Sequence, residues 1–162
     1  MDTNFDQIVA VMFDLNLKWK PSRSKENTDV VKTMSKLGWN TIAWNTTTFG
    51  KLNAMIKPST AINLEPADVK ECSKLRNLVA DTSTGSDLVQ LNRLTVTLDE
   101  VVEAQGLTVG NEMLKSFDII AASPGNAAVF AHLCKTAQVD IITLDFSRRL
   151  PFPIIKKQVS YL

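Results

Sequence analysis

Val139 to Leu144 reads Val-Asp-Ile-Ile-Thr-Leu, and Phe117 to Ala122 reads Phe-Asp-Ile-Ile-Ala-Ala. Both are short apolar runs with β-branched residues, a composition typical of a strand buried on both faces of a parallel sheet. Between these two strands, Pro124 is predicted to open a helix. A strand, a helix and a second strand in this order form a parallel β/α unit. The two stretches therefore predict an α/β fold.

The same alternation extends through most of the chain. Three further strands are predicted, at Ile8 to Phe13, Trp39 to Trp44 and Arg93 to Leu98. Further helices are predicted at Lys25 to Leu37, at Pro66 to Val79 and, as a short one, at Asn111 to Lys115. For the first helix, Ser24 is the predicted N-cap and Gly38 the stop signal. A sixth strand is predicted near the C-terminus, whereas much of Asn45 to Asn92 has no clear pattern.

Two architectures fit this alternation, an open doubly wound sheet and part of a barrel. The sequence contains neither Gly-x-Gly-x-x-Gly nor Gly-x-x-x-x-Gly-Lys-Ser/Thr, which lowers the support for nucleotide binding of the doubly wound kind. This favours a barrel. With 162 residues, the chain is expected to form a single domain over residues 1–162.

Composition narrows the classes of function. Hydrophobic residues make up 44% of the chain and charged residues 22%, as in an ordinary folded domain. The net charge of +1 argues against attraction of the whole surface to nucleic acid or membrane. Cys72 and Cys134 fit neither a disulfide framework nor a zinc pattern, so free thiols are expected. Because no apolar run approaches the roughly 20 residues of a membrane span, a cytosolic or nuclear protein is expected.

The candidates for catalysis are few. His132 is the only histidine, and a helix residue that packs or faces solvent is the favoured interpretation. Asp14 and Asp145 are predicted at the carboxyl ends of strands, where barrel enzymes place catalytic carboxylates. Binding of loop backbone amides is the favoured role for both of them. Asp118 and Asp140 are predicted to be solvated residues at the starts of strands. No catalytic residue, metal site or cofactor is predicted.

Two basic stretches carry more information. The first contains Lys18, Trp19, Lys20 and Arg23, and the second contains Arg148, Arg149, Phe152, Lys156 and Lys157. Basic groups interleaved with aromatic rings suit phosphate neutralisation and base stacking, so these residues are the candidates for contacts with RNA or a partner. The alternative interpretation is ordinary solvated loop charge.

Several segments, taken in order, resemble the TIM-barrel protein subunit of ribonuclease P, the thirty-kilodalton subunit that eukaryotes share with ribonuclease MRP. The resembling segments are Phe13-Asp14-Leu15-Asn16 with Trp19, Leu37-Gly38-Trp39, Ile42-Ala43-Trp44-Asn45, Arg93-Leu94-Thr95, Phe117-Asp118-Ile119-Ile120-Ala121 with Pro124, Val139 to Leu144, and Arg149-Leu150-Pro151-Phe152. They span the chain from Val11 to Val159.

The resemblance implies a TIM-like (αβ) barrel related to metal-dependent phosphoesterases. Those relatives carry His-x-His at the end of the first strand, where this chain has Asp14-Leu15-Asn16. The family barrel continues beyond the segment that ends at Phe152, so an incomplete barrel is expected here. A metal-dependent hydrolase using Asp14 and Asp145 is the alternative hypothesis.

The resemblance also implies a role. In the family the RNA performs catalysis, and the protein binds an RRM-like small subunit and supports the RNA that processes precursor tRNA at its 5′ leader. The chain is therefore expected to be a non-catalytic subunit of an endoribonuclease, with no membrane partner. A nuclear and nucleolar location is expected in a eukaryote, and a cytoplasmic one in an archaeon.

Overall fold

Five parallel strands form one sheet in which each strand lies beside its neighbours in sequence. The computed structural model describes residues 12–79, 88–108, 110–147 and 149–154. The strands are β1 (Phe13–Lys18), β2 (Thr41–Phe49), β3 (Val89–Leu98), β4 (Ile119–Pro124) and β5 (Ile141–Ile142), and the helices are α1 (Ser24–Lys36), α2 (Pro66–Val79) and α3 (Ala127–Thr136). Two 3-10 helices, Val101–Gly106 and Leu114–Ser116, lie between β3 and β4.

The strand order decides between the two architectures that the sequence left open. It runs β1-β2-β3-β4-β5 without reversal. A doubly wound sheet reverses direction at a switch point, whereas a barrel adds each new strand on the same side. The predicted barrel-type fold is confirmed, because the described strands form a half-barrel of this winding.

Arg93 shows how strongly the sheet curls. From β3, its Nη1 donates to the carbonyl oxygen of Leu15 on β1 at 2.9 Å, and its Nη2 donates to Oγ1 of Thr143 just after β5 at 2.9 Å. In a flat sheet the first and fifth strands would be about 19 Å apart, given the usual spacing of neighbouring strands. One guanidinium could not reach both. The sheet therefore curls around Arg93, which lies on its concave face.

The convex face is apolar and carries the helices. The largest cluster of buried residues joins β3 and β4 to α3 and the 3-10 helices, and contains Leu94, Val96, Leu98, Ala104, Leu107, Leu114, Phe117, Ile120, Ala122, Val129 and Leu133. A second cluster packs Val31 of α1 against Ile42 and Trp44 of β2. Burying this apolar surface is the main stabilising contribution to the fold. Among the described residues, no helix is both long and apolar enough to cross a membrane.

The two ends of α1 differ in how well the sequence predicted them. Gly38 is at φ 82°, its N–H donates to the carbonyl of Ser35, and the N–H of Trp39 donates to the carbonyl of Met34. This is a Schellman motif, and it confirms Gly38 as the stop signal. Ser24 is not the N-cap, because it is the first helical residue and Arg23 occupies the cap position without a capping side-chain bond.

An extended segment between β2 and α2 explains the stretch that had no clear pattern. We call residues 50–65 the strap. Gln90 of β3 binds the strap to the sheet through two hydrogen bonds. The Gln90 Nε2 donates to the carbonyl of Ile62 at 2.7 Å, and its Oε1 accepts the N–H of Ile62 at 3.1 Å. A second link joins Ser59 to Asn92. Side-chain amides and the packing of Leu52, Ile56, Ile62 and Leu64 hold the strap, and these scattered contacts leave no periodic signal in the sequence. By contrast, α2 has the predicted bounds.

Several strand positions differ from the prediction. The predicted first strand began at Ile8, and its residues up to Val11 lie outside the described part of the chain, while β1 extends to Lys18. Asp14 is therefore inside β1, not after it. An irregularity between Asp14 and Leu17 of β1 accommodates the polar residues in the strand. β2 runs beyond its predicted end to Phe49, and β3 begins before Arg93.

The start of α3 also corrects the prediction. Pro124 is the last residue of β4 and does not open the helix. Asn126 is the N-cap, because its side chain accepts the N–H groups of Ala128 and Val129 at 3.0 and 3.1 Å. The predicted short helix from Asn111 is reduced to the second 3-10 turn. The predicted sixth strand lies outside the described residues.

A polar residue precedes each of β2, β4 and β5 and forms two bonds to a residue in, or directly before, the neighbouring strand. Its backbone N–H donates to one residue's carbonyl, and its side-chain oxygen accepts the N–H of that same residue. The pairs are Asn40 with Met12, Asp118 with Asn92, and Asp140 with Ile120, at 2.7 to 3.0 Å. Asp118 and Asp140 are exposed, as predicted for the starts of strands.

Candidate functional site

The carboxyl ends of the strands lie together at one edge of the half-barrel, because all strands point the same way. Lys18 is the last residue of β1, and Arg149 lies in the segment after β5. Both side chains are exposed. The two predicted basic stretches therefore follow strand ends on the same edge, which in β/α barrels is the edge that carries function.

Part of the first basic stretch is neutralised by one carboxylate. Lys20 Nζ lies 2.7 Å from Glu26 Oε2, and Arg23 Nη1 lies 2.8 Å from Glu26 Oε1. Hydrogen bonds from Lys20 and Arg23 lower the pKa of Glu26. For Lys18, the described residues provide no acidic partner within salt-bridge distance. Lys18 is therefore the unpaired cation of this stretch among the described residues.

Both predicted aromatic rings pack inside the protein. Trp19 meets Trp44 edge to face, with ring centroids 5.3 Å apart, next to the cluster around Val31. Phe152 is 7% exposed and its ring lies 5.4 Å from that of Phe130, centroid to centroid. Such rings anchor the basic segments on the convex layer of helices.

The second basic stretch is described only in part. Asp145 accepts both the N–H and the hydroxyl of Ser147 through Oδ1, at 2.9 and 2.6 Å. This short turn leads into Arg149, and Phe152 ties the segment to α3. Arg148, Lys156 and Lys157 lie outside the described residues.

The two carboxylates weighed for catalysis bind backbone amides. Asp14 Oδ1 accepts the N–H of Asn16 at 2.9 Å, just as Asp145 accepts that of Ser147. The predicted binding of a loop amide is confirmed for Asp145, whereas the amide that Asp14 binds belongs to β1. Within the described ranges, no group of three or more histidine, cysteine, aspartate or glutamate side chains could hold a metal ion. His132 lies on α3 and contacts Thr136 one turn later, and Cys72 and Cys134 are free thiols.

A buried polar network on the concave face was not predicted from the sequence. Arg93 is 5% exposed and donates through Nε to Thr95 Oγ1 at 3.0 Å. Thr95 in turn donates to Asn45 Oδ1 at 2.8 Å, and Asn45 Nδ2 donates to Asn16 Oδ1 at 2.6 Å. The chain of bonds runs from β3 through β2 to β1. The alternation of the polar residues Arg93, Thr95 and Thr97 with apolar neighbours in the second half of β3 was the signal that could have revealed it.

The charge of Arg93 is an uncommon feature of this network. Its three bonded acceptors are a carbonyl and two hydroxyls, all of them uncharged. Burial lowers the pKa of the guanidinium, and the negative charge of Asp14 opposes that shift. An arginine keeps its proton under all ordinary conditions. The concave face therefore contains a buried positive charge whose hydrogen-bond partners among the described residues are neutral.

Comparison with known proteins identifies the family. The family model described as RNase P subunit p30 matches residues 11–162. The chain belongs to this RNase P subunit p30 family. This confirms the resemblance drawn from Phe13-Asp14-Leu15-Asn16 and the later strands.

Three curated relatives of this p30-family chain illustrate the range of similarity. Probable ribonuclease P protein subunit 3 of Schizosaccharomyces pombe is 28% identical over 88% of the chain and 52% of its own length. Ribonuclease P protein subunit drpp30 of Dictyostelium discoideum is 27% identical over 83% of the chain and 36% of its own length. Protein GAMETOPHYTE DEFECTIVE 1 of Arabidopsis thaliana is 39% identical over 44% of the chain and 13% of its own length. The p30-family chain thus spans about half, or less, of these relatives.

Proposed function

We propose that the chain is a non-catalytic protein subunit of ribonuclease P, and of ribonuclease MRP, that supports removal of the 5′ leader from precursor tRNA. The observation that carries this proposal is the family match across residues 11–162. The names of the relatives from Schizosaccharomyces pombe and Dictyostelium discoideum, both ribonuclease P subunits, support it. In this proposal the RNA cuts the substrate, and the protein binds RNA and neighbouring subunits.

The proposed protein partner is an RRM-like small subunit of the same particle. Among the described strands, β1 and β5 each pair on one side only. An unpaired strand edge is a surface that another chain can extend or cover. Phe13 begins β1, Phe49 ends β2 and Phe146 lies in the segment after β5, and these side chains are 61%, 78% and 72% exposed. An edge with exposed aromatic residues beside it favours a protein partner.

The proposed RNA contacts are the cations at the carboxyl edge of the sheet. Lys18 and Arg149 are exposed, and Arg148, Lys156 and Lys157 belong to the same second stretch in the sequence. Guanidinium groups suit phosphate because they donate two hydrogen bonds in one plane. Lys20 and Arg23 are both paired with Glu26, so we expect them to contribute less to RNA binding. Trp19 and Phe152 hold these segments in place through their packed rings.

A nuclear and nucleolar location is part of the proposal. The three relatives come from Arabidopsis, a fission yeast and Dictyostelium, which are all eukaryotes.

Purification of the tagged chain from its own cells, followed by RNA sequencing and protein identification, tests the proposal. We expect one structured RNA, precursor tRNA and a small RRM-like protein to co-purify, and the eluate to remove 5′ leaders. Absence of any enriched RNA would contradict the proposal. Stoichiometric binding of Mn²⁺ or Zn²⁺ that disappears in Asp14→Ala would instead support a metal-dependent hydrolase.

A further inference from the structure

The concave face contains one charged side chain that the proposed function does not use. Arg93 is 5% exposed, lies on the central strand, and is the only residue among those described that bonds to both outer parts of the sheet. A buried charge is stable in a protein when it is paired with an opposite charge or fully hydrogen-bonded. The bonded partners of Arg93 are neutral, and the carboxylate of Asp14 acts on its charge only from beyond salt-bridge distance. The question is therefore what could balance this charge by direct contact.

Its hydrogen-bonding capacity is incompletely used. A guanidinium carries five N–H donors, and the bonds to Thr95, Leu15 and Thr143 account for one each on Nε, Nη1 and Nη2. One N–H therefore remains on Nη1 and one on Nη2 for which the described residues provide no acceptor. Two donors on adjacent nitrogens of a planar fork match two oxygens of a single oxyanion.

Hydroxyl groups lie on the same face, nearer the carboxyl ends of the strands. Thr97 of β3 is in register with Ser123 of β4, and Thr47 of β2 is in register with Thr95 of β3. Thr47 lies two residues beyond Asn45, Thr97 two beyond Thr95, and Ser123 two beyond Ala121. Side chains two residues apart in a strand share a face. Each hydroxyl can donate a hydrogen bond to an anion. The concave face thus places neutral donors beside one buried cation.

We propose that Arg93 and these hydroxyls form a binding site for a phosphoryl oxyanion at the concave face of the half-barrel. The negative charge of the anion balances the guanidinium, and its oxygens accept the two remaining N–H groups. Free phosphate and a phosphate of an RNA backbone share this chemistry. The inference depends on Arg93 and its neighbours, and it holds or fails separately from the role in ribonuclease P.

Titration of the purified chain with inorganic phosphate tests the site, with chloride keeping the ionic strength constant. We expect saturable binding of one phosphate per chain and a Tm that rises with the logarithm of the phosphate concentration. Arg93→Lys keeps the charge but loses the planar fork, and should weaken phosphate binding about tenfold. Lys57→Ala, which removes an exposed cation of the strap that has no proposed binding role, is the matched control and should change the affinity less than twofold.

Two results would overturn the site. The first is a wild-type Tm that changes no more with phosphate than with chloride. The second is a phosphate affinity of folded Arg93→Lys that equals that of the wild-type chain. If Arg93→Lys does not fold, side-chain NMR of the wild-type chain replaces it. The solvent-protected arginine N–H resonance must then shift with phosphate, and a resonance that does not shift rejects the proposal.

Competition with RNA distinguishes the two sources of phosphate. If the site takes a backbone phosphate, inorganic phosphate should displace a short single-stranded RNA, and Arg93→Lys should weaken binding of that RNA. If the site takes free phosphate, RNA affinity should be the same in both proteins while phosphate affinity differs. Either result supports the oxyanion site, whereas neither bears on whether the chain belongs to a ribonuclease P particle.

Discussion

Arg93 and Thr143 are 50 residues apart in the sequence, yet Nη2 of the arginine donates to Oγ1 of the threonine at 2.9 Å. The same guanidinium donates to the carbonyl of Leu15 on the first strand. One side chain on the central strand therefore connects the two sides of the curled sheet. The curvature of the sheet is what brings both partners within reach of this guanidinium.

Replacing Thr143 by valine should destabilise the fold. Valine has the shape of threonine but lacks the hydroxyl, so a donor of a buried, charged guanidinium loses its acceptor. We expect the free energy of unfolding to fall by about 1–3 kcal/mol in urea denaturation. Thr136→Val is the matched control, because the Thr136 hydroxyl bonds to His132 within its own helix. Thr136→Val should lower the free energy of unfolding by less than about 0.5 kcal/mol. Equal losses in the two variants would contradict the role of Thr143.

Replacing Gln90 by leucine should release the strap. The amide of Gln90 provides both partners of the Ile62 backbone, and leucine fills a similar volume without them. We expect hydrogen exchange at the Ile62 amide to accelerate at least tenfold, which corresponds to a local stability loss of about 1.4 kcal/mol. Gln105→Leu changes an exposed glutamine and should leave this amide protected. Unchanged exchange at Ile62 in Gln90→Leu would show that the Gln90 amide does not hold the strap at this position.

Glu26 should make part of the stability dependent on pH. Its pKa is lowered by hydrogen bonds from Lys20 and Arg23, so the folded state favours the carboxylate. The resulting stabilisation is present above the pKa of the unfolded state, about 4.3, and is lost as the pH falls through the lower folded value. NMR titration of the Glu26 carboxyl should give a midpoint below that of an unfolded peptide. Glu26→Gln should remove the contribution of this carboxylate to the pH dependence in this window, and a midpoint at or above the peptide value would contradict the ion pairs of Glu26 with Lys20 and Arg23.

Removing the two arginines after β5 should weaken RNA binding by the assembled particle. In Arg148→Ala combined with Arg149→Ala, we expect the slope of log affinity against log salt to decrease by about 0.7–0.9 for each RNA phosphate that is no longer neutralised. Lys57→Ala combined with Lys115→Ala removes equal charge from outside the carboxyl edge and should leave the slope unchanged. If both double variants have the same slope and the arginine variant has the lower Tm, we would conclude that the two arginines have a structural role and do not contact RNA.

The sequence predicted the fold class well because β4 and β5 lie in short apolar runs separated by a helix, which is the pattern of a parallel β/α unit. The strand boundaries were less accurate, since an apolar residue need not be part of the hydrogen-bonded ladder. Phe117 was placed in a strand, but it packs into the convex core just before β4 begins. Asp14 and Asn16 looked like a loop, yet the irregular pairing of β1 accommodates them within a strand.

The candidate site was predicted only where local sequence determined it. The amide-binding role of Asp145 follows from its own short turn, which involves residues two positions apart. The network of Arg93 could not be inferred in this way, because its partners come from strands on both sides of β3. The packing of Trp19 on Trp44 and of Phe152 on Phe130 is equally nonlocal. Composition suggests an aromatic ring near charges, but only tertiary contacts determine which way it faces.

The paired bonds of Asn40, Asp118 and Asp140 have a consequence for how the strands find their alignment. A one-residue slip between neighbouring strands would turn apolar side chains to the wrong face, so hydrophobic patterning rejects it. A slip of two residues keeps every side chain on its proper face, and patterning cannot detect it. Such a slip would separate Asp118 from the N–H of Asn92 and leave both without their partner. Asn40, Asp118 and Asp140 therefore disfavour a two-residue slip, which the apolar pattern alone does not prevent.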